Sequence, residues 1–461
     1  MHTKKPPVIT GQTVELNITD LNHAAEGVGR VRDYAVFVPL SAPGDRVRAR
    51  IISVQKNYAR ALLENVLESS SRRVSASCRH FEDCGGCSLQ HLEYDEQLRL
   101  KRETVVQALQ RLGGLAPEVL PVLGMNEPWR YRNKSPFPLK MEGKELQAGF
   151  FRSRTHQIVN LEHCPIQHPL IEKAFHIARN LIREMAITVY DEERHKGLLR
   201  HLVIRASHFE GKVLVILVTN GRDFKRSRSF AESLTSRLPE LGGIVQNINT
   251  RRGNVIFGTD SVTLWGKGYL LEKLGHIQYV VSAGSFFQVN TPQAEVLLRQ
   301  VEKYAGLTGS ETIFDLYCGA GTIALYLSRR ARKVVGIESY PPAVDDARKN
   351  AELNGISNAE FYSGLSERLF PDFLRKGYSP DVVIVDPPRK GCSEKLLSAI
   401  ADVKPRRLIY VSCNPSTLAR DLRYLYEQGY NVLEVQPIDM FPHTAHVETI
   451  IMMTNSGSKG K

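Results

Sequence analysis

The chain has no apolar run long enough to cross a membrane; its longest, such as Val213 to Val218, are only strand-sized. Its opening, Met1-His2-Thr3-Lys4-Lys5-Pro6-Pro7, is basic but has no apolar stretch behind it, so neither a signal peptide nor an anchor is expected. The resulting expectation is a cytoplasmic protein without membrane contact. Cysteine is scarce and odd in number, seven in 461 residues, which argues against a disulfide framework and for metal binding or catalysis. No internal repeat is evident. The glycine turn Cys318-Gly319-Ala320-Gly321 lacks the third glycine of the dinucleotide fingerprint, so a hydride-transfer enzyme is weakly supported. Acidic residues are outnumbered, 49 against 61 Lys and Arg, for a formal charge of +12. Such a balance suits a polyanionic partner, nucleic acid first.

A chain of this length is expected to hold two or three domains. Five short β segments with turns between them occupy the region near the amino terminus: 13–18, 27–31, 34–38, 46–51 and 59–63. Five strands in so few residues predict a small β-barrel. Arg46, Arg48 and Arg50 alternate along one strand and share a face, with Arg30, Arg32, Lys56 and Arg60 nearby, which fits an oligonucleotide-binding (OB-fold) surface. The segment resembles the TRAM domain, an accessory RNA-binding barrel, at Ala25-Glu26-Gly27-Val28-Gly29 and Pro43-Gly44-Asp45-Arg46-Val47. The expected organisation is a barrel over 5–67, a mixed α+β central domain over 68–283, an α/β catalytic domain over 284–454 and a disordered tail over 455–461. Part of 93–124, a charged segment with helical spacing, is expected to pack on the catalytic domain.

Cys78, Cys84 and Cys87 form a C-x5-C-x2-C array, and Cys164 stands apart before Pro165. Four thiolates suit either a tetrahedral zinc or a four-iron cluster, and a compact trio with one distant ligand followed by proline fits the iron-sulfur pattern better than paired zinc knuckles. With every iron carrying a cysteine, a [4Fe-4S] cluster has no open position for substrate, so its expected role is structural. A radical enzyme would lack the fourth cysteine.

Three motifs carry the chemistry. The strand Thr312-Ile313-Phe314-Asp315-Leu316 runs into the glycine turn and a helix, and a second strand ends at Glu338, an acid placed to accept hydrogen bonds from a ribose. The strand Asp381 to Val385 ends in Asp386-Pro387-Pro388-Arg389, whose prolines force the chain out of the sheet and set Asp386 and Arg389 at its carboxyl edge. The strand Arg407 to Val411 closes in Ser412-Cys413-Asn414-Pro415, and Glu448 follows 35 residues after the cysteine. The pair offers a thiolate nucleophile and a carboxylate base.

Together with Phe286-Phe287-Gln288-Val289-Asn290 and Phe441-Pro442-His443-Thr444-Ala445-His446-Val447-Glu448, these motifs resemble the RNA uracil-5-methyltransferase family over about residues 11–454. The barrel and cysteine set point to its 23S ribosomal RNA branch; transfer-RNA methylation is the alternative. The resemblance implies a Rossmann-like domain that uses S-adenosylmethionine, a [4Fe-4S] cluster on Cys78, Cys84, Cys87 and Cys164, and cofactor contacts from Gln288, Tyr317, Glu338 and Asp386. It further implies Cys413 as nucleophile and Glu448 as base. Phe286, Gln288, Asp386 and Arg389 are the expected substrate contacts, and Phe286, Phe287, Tyr317 and Phe441 offer stacking surfaces for an unstacked base. Thr322-Ile323 stands where many relatives have Asn-Phe or Thr-Phe, so Thr322 receives no role. RNA is the expected partner of a monomer with no obligate protein partner. A cytosine-5-methyltransferase would place its thiolate in a Pro-Cys context, and a non-catalytic RNA-binding protein would leave both Cys413 and Glu448 idle.

Overall fold

The computed structural model describes residues 5–455; of the expected disordered tail 455–461, Asn455 is instead buried at the end of a strand, paired with Tyr430, and 456–461 lie outside the described residues. At the amino-terminal end, a six-stranded sheet runs in the order Thr13–Asn17, Arg46–Val54, Tyr58–Glu68, Tyr34–Pro39, Glu26–Val31, Asp20–Leu21. Its pleat follows the alternation in the sequence. Val47, Ala49 and Ile51 turn into a core with Leu16, Val36 and Val38, while Arg46, Arg48 and Arg50 turn out. The expected cationic face is not bare, however. Arg46 pairs with Glu15 and Glu68, Arg48 with Glu15, Arg50 with Glu64 and Arg60 with Glu26. Period-2 spacing shows which residues share a strand face, but the compensating acids come from other strands.

A second sheet of seven strands has the order Asp260–Gly266, Leu241–Ile248, Val213–Thr219, Leu199–Ala206, Lys134–Glu142, Glu145–Phe151, Ile158–Asn160. Val213–Thr219 is buried at every position because both its faces are covered. Val213, Val215 and Leu217 meet the helices Pro169–Glu184 and Ser227–Arg237 on one side, and Leu214, Ile216 and Val218 pack on the other.

The third sheet has the order Ala359–Ser363, Lys333–Glu338, Thr312–Leu316, Val382–Val385, Arg407–Ser412, Glu448–Asn455, Tyr430–Ile438. Its first five strands are parallel and helices cover both faces; the last two form an antiparallel edge. Two earlier segments join this unit. Helix Tyr94–Ala108 packs beside helix Pro415–Glu427, with Val105 in the same core as Leu418 and Leu422. The hairpin of Tyr269–Leu274 and Ile277–Ser282 lies on helix Pro341–Leu353, where the Asn350 side chain accepts the Val280 amide at 2.8 Å. Among the described residues no helix is long and apolar enough to cross a membrane.

Candidate active site

Four adjacent parallel strands deliver their carboxyl ends to one place: Leu316 leads into Tyr317, Ile337 into Glu338, Val385 into Asp386 and Ser412 into Cys413. The fifth contribution comes from the antiparallel edge. Ser412 pairs with Thr449, so one step further along each strand Cys413 faces Glu448. Chain reversal between Arg407–Ser412 and Glu448–Asn455 thus brings together two residues far apart in sequence. Cys413 is held in place by its neighbours. Asn414 caps helix Pro415–Glu427 by accepting the Ser416 amide at 3.1 Å, and its Nδ2 donates to the Arg389 carbonyl at 2.9 Å. That second bond ties the cysteine turn to the Asp386-Pro387-Pro388-Arg389 turn.

The electrostatics of this corner favour neutral forms. Burial first, then the Asp386 carboxylate, push the buried Glu448 up to about 8, against the opposing effect of Arg389. Burial pushes Asp386 up to about 7. Burial, followed by the carboxylates of Glu448 and Asp386, pushes the Cys413 thiol up to about 11, with Arg389 pulling the other way. Asp315, fully buried one strand turn behind, is raised well above its ordinary range by burial and by Asp386, while its Oδ2 accepts the Ala324 amide at 3.0 Å. A cation placed among these groups would lower every one of these costs. This suits a sulfonium cofactor.

All of these residues line one cavity of about 1720 Å³, together with Phe286, Gln288, Tyr317, Glu338 and Arg389. Glu338 fixes the glycine turn: its Oε2 accepts the Gly319 amide at 3.2 Å and its Oε1 the Tyr340 amide at 2.8 Å. Gly319 has φ +54 and nothing within 4 Å of where a Cβ would stand, leaving open backbone beside Glu338. Tyr317, at φ 68, also takes the left-handed conformation that turns its ring toward the cavity rim. Phe286 is 74% exposed at the mouth. Phe287 departs from the stacking expectation: it is buried against Tyr279 in the helix-covered core, because adjacent residues of an extended segment point to opposite sides. Phe441 and His446 complete the wall, and Arg389 Nη2 lies 3.4 Å from His446 Nε2. The cavity also reaches residues 23–26 of the first sheet and the loop 81–88.

The segment 439–448 is held by residues that carried no motif. Lys101 Nζ donates to Asp439 at 2.5 Å and to the Phe441 carbonyl at 3.0 Å, and Tyr94 donates to the other Asp439 oxygen at 2.9 Å. His443, at φ 65, stacks on Trp129 with ring centroids 3.8 Å apart, and its amide donates to Gln97 Oε1 at 3.0 Å. The amides of Ser88 and Leu89 both donate to the His443 carbonyl, at 2.9 and 3.0 Å. The cysteine loop therefore clasps the segment that ends in Glu448. One signal was available in the sequence: Gln97 and Lys101 fall in register with Leu100 and Val105 on the buried stripe of helix Tyr94–Ala108, an unusual place for a lysine.

Cys78, Cys84, Cys87 and Cys164 line a second, small cavity of about 20 Å³ with Phe81, Gln90, Phe150, Leu161 and Ile166. As the side chains stand, no group of three or more His, Cys, Asp or Glu among the described residues could hold a metal ion. The donor chemistry nevertheless fits a thiolate-ligated centre: the wall carries four sulfurs and no imidazole or carboxylate. Burial and the neighbouring sulfurs push Cys87 and Cys164 up to about 12.

Comparison with known proteins agrees with this geometry. The profile described as tRNA (Uracil-5-)-methyltransferase matches residues 93–456, and that of the TRAM domain matches residues 7–63. An uncharacterized RNA methyltransferase of Halalkalibacterium halodurans is 45% identical over 454 residues, 98% of this chain and 99% of that protein. One from Clostridium tetani is 43% identical over 99% of this chain and 100% of its own length. Among solved structures, the tRNA (uracil-54, C5)-methyltransferase of Pyrococcus abyssi in complex with S-adenosyl-L-homocysteine superposes with a TM-score of 0.77 and 31% identity, covering 96% of this chain and 100% of that one.

Proposed function

The chain belongs to the tRNA (uracil-5-)-methyltransferase family and is an S-adenosylmethionine-dependent RNA uracil-5-methyltransferase, and from that premise we propose that its substrate is a uridine of 23S ribosomal RNA, methylated through a covalent adduct on Cys413. The observation that carries the mechanism is the Ser412 to Thr449 register, which sets Cys413 opposite Glu448 in the wall of one cavity of about 1720 Å³. Uracil C5 is too weak a nucleophile unaided. The Cys413 thiolate adds its electron pair to C6, and the displaced C5–C6 π electrons make the ring an enolate with density at C5. Gln288, Tyr317, Glu338 and Asp386 would hold S-adenosylmethionine, which when bound would supply the methyl group to C5, the electrons of the broken sulfur–methyl bond staying on sulfur and S-adenosylhomocysteine leaving. Glu448 then removes the C5 proton, the electrons of that C–H bond restore the ring double bond, and the C6–sulfur bond breaks to return the thiolate. Gln288 and Asp386 read the uracil edge, Arg389 stabilises the enolate oxygen as charge develops, and Phe286 stacks on the base or its neighbour.

The ribosomal assignment rests on the barrel and the cysteine loop, both of which wall the cavity. Transfer RNA is the second reading, favoured by the likeness to the Pyrococcus abyssi enzyme. Mass mapping of RNA from cells lacking this protein separates them: 5-methyluridine is expected to vanish from 23S ribosomal RNA and to persist in transfer RNA, and the opposite pattern overturns the assignment. We also assign a [4Fe-4S] cluster to Cys78, Cys84, Cys87 and Cys164, as a structural fastening of the loop that clasps His443. Anaerobically purified protein is expected to be brown with about four irons per chain, the stoichiometry of a cluster on four cysteines; zinc in its place refutes the cluster.

A further inference from the structure

Lys134 and Arg205 are directly opposed across the antiparallel pair of Lys134–Glu142 and Leu199–Ala206, so their side chains leave the sheet on one face. Arg132, two residues before Lys134 in extended chain, shares that face and lines the catalytic cavity; its Nε donates to the Lys134 carbonyl at 3.1 Å. None of the three cations forms an ion pair among the described residues, whereas Arg46, Arg48, Arg50 and Arg60 of the first sheet are each matched with an acid. Arg205 is 3% exposed, its Nη2 donates to the Ser285 carbonyl and its Nε has no partner. The nearby acid, Asp346, accepts the Ser285 hydroxyl at 2.6 Å instead. Lys134 Nζ lies 5.0 Å from the centre of the Phe257 ring.

Like charges crowded together without counter-ions are costly unless an anion completes them. Burial, then Arg205 and Arg132, push Lys134 down to about 7. The same strand positions the base-reading segment. Asn133, pointing to the opposite face, donates to the Gln288 carbonyl at 3.0 Å and to Thr291 Oγ1 at 2.8 Å, and Arg205 holds Ser285. The cluster thus sits beneath the segment that presents Phe286 and Gln288 to the cavity.

We propose that Lys134, flanked by Arg205 and Arg132, is a phosphate-binding site of the RNA path, taking a phosphodiester adjacent to the nucleotide that enters the catalytic cavity. The inference rests on the RNA methyltransferase reading but not on which RNA is modified. The test uses whichever of an unmodified 23S ribosomal RNA transcript and a pool of unmodified transfer RNA transcripts the wild type methylates. Lys134→Met, which keeps the packing over Phe257 and removes the charge, is expected to weaken binding of that transcript about tenfold. It should also lower the slope of log affinity against log salt between about 50 and 200 mM by about one, the signature of one lost phosphate contact. S-adenosylhomocysteine affinity should be unchanged, and Lys134→Arg should restore the slope. Wild-type RNA affinity and slope in Lys134→Met would overturn the site, as would a loss that Lys134→Arg leaves uncorrected. Failure of the wild type to methylate either transcript would instead count against the function itself.

Discussion

RNA containing 5-fluorouracil is expected to capture this protein in a complex that survives denaturation, and Cys413→Ala is expected to form none. Fluorine takes the place of the hydrogen that Glu448 would remove, so the ring is methylated but the carbon–sulfur bond cannot be released. With ordinary RNA, Cys413→Ala should lose methyl transfer by roughly 10⁴-fold or more, the scale seen when a covalent nucleophile is removed. The substitution is mild for the fold. Cys413 is only partly buried at the cavity wall and its turn is held by the Asn414 and Arg389 bonds, which do not involve sulfur. Binding of S-adenosylhomocysteine should therefore persist and separates loss of chemistry from loss of structure. A denaturation-resistant complex formed equally by Cys413→Ala would remove the sulfur from the reaction, and so would near-normal turnover by that variant.

The parts of this site legible in the sequence are those set by local rules. A strand that ends in Asp386-Pro387-Pro388 must leave the sheet there, and a glycine turn before a helix must approach a ligand, so local patterning alone assigns Glu338, Asp386 and Cys413 to strand ends. The facing of Cys413 and Glu448 depends on strand direction and register, which a motif spacing does not encode; only the Ser412 to Thr449 pairing supplies it. Two further features were hidden for the same reason. The acids that neutralise Arg46, Arg48 and Arg50 come from other strands. The clasp on His443 joins the amides of Ser88 and Leu89 to a segment more than three hundred residues away. Phe287 shows the converse: two adjacent aromatics both looked available, although the pleat lets only Phe286 reach the mouth.

Glu448→Gln is expected to separate the two halves of the reaction and, at the same time, to stabilise the protein. Without the base, methylated RNA should accumulate on Cys413 with ordinary uridine substrates, and turnover should fall about 10³-fold, within the range for a general base. Because the wild-type carboxyl is held up to about 8, its basic form and hence turnover should rise as pH approaches and passes that value. The variant should lose this dependence. Its adduct should also form at lower pH than in the wild type, since the Glu448 carboxylate is one of the groups that raise the Cys413 thiol and the amide carries no charge. The stability sign follows from burial. A carboxyl raised on folding costs nothing below its ordinary value of 4.5, and stability is progressively lost as pH rises from there to about 8, since the unfolded chain ionises first. Glu448→Gln removes that loss, so it should melt higher than wild type at pH 8 by the equivalent of about 2 to 4 kcal/mol and show little difference near pH 4. A variant that turns over normally would strip Glu448 of its role as base, whereas one that is inactive with an unchanged or lowered melting temperature at pH 8 would show that the carboxylate is solvated or paired in the native state rather than held neutral for catalysis.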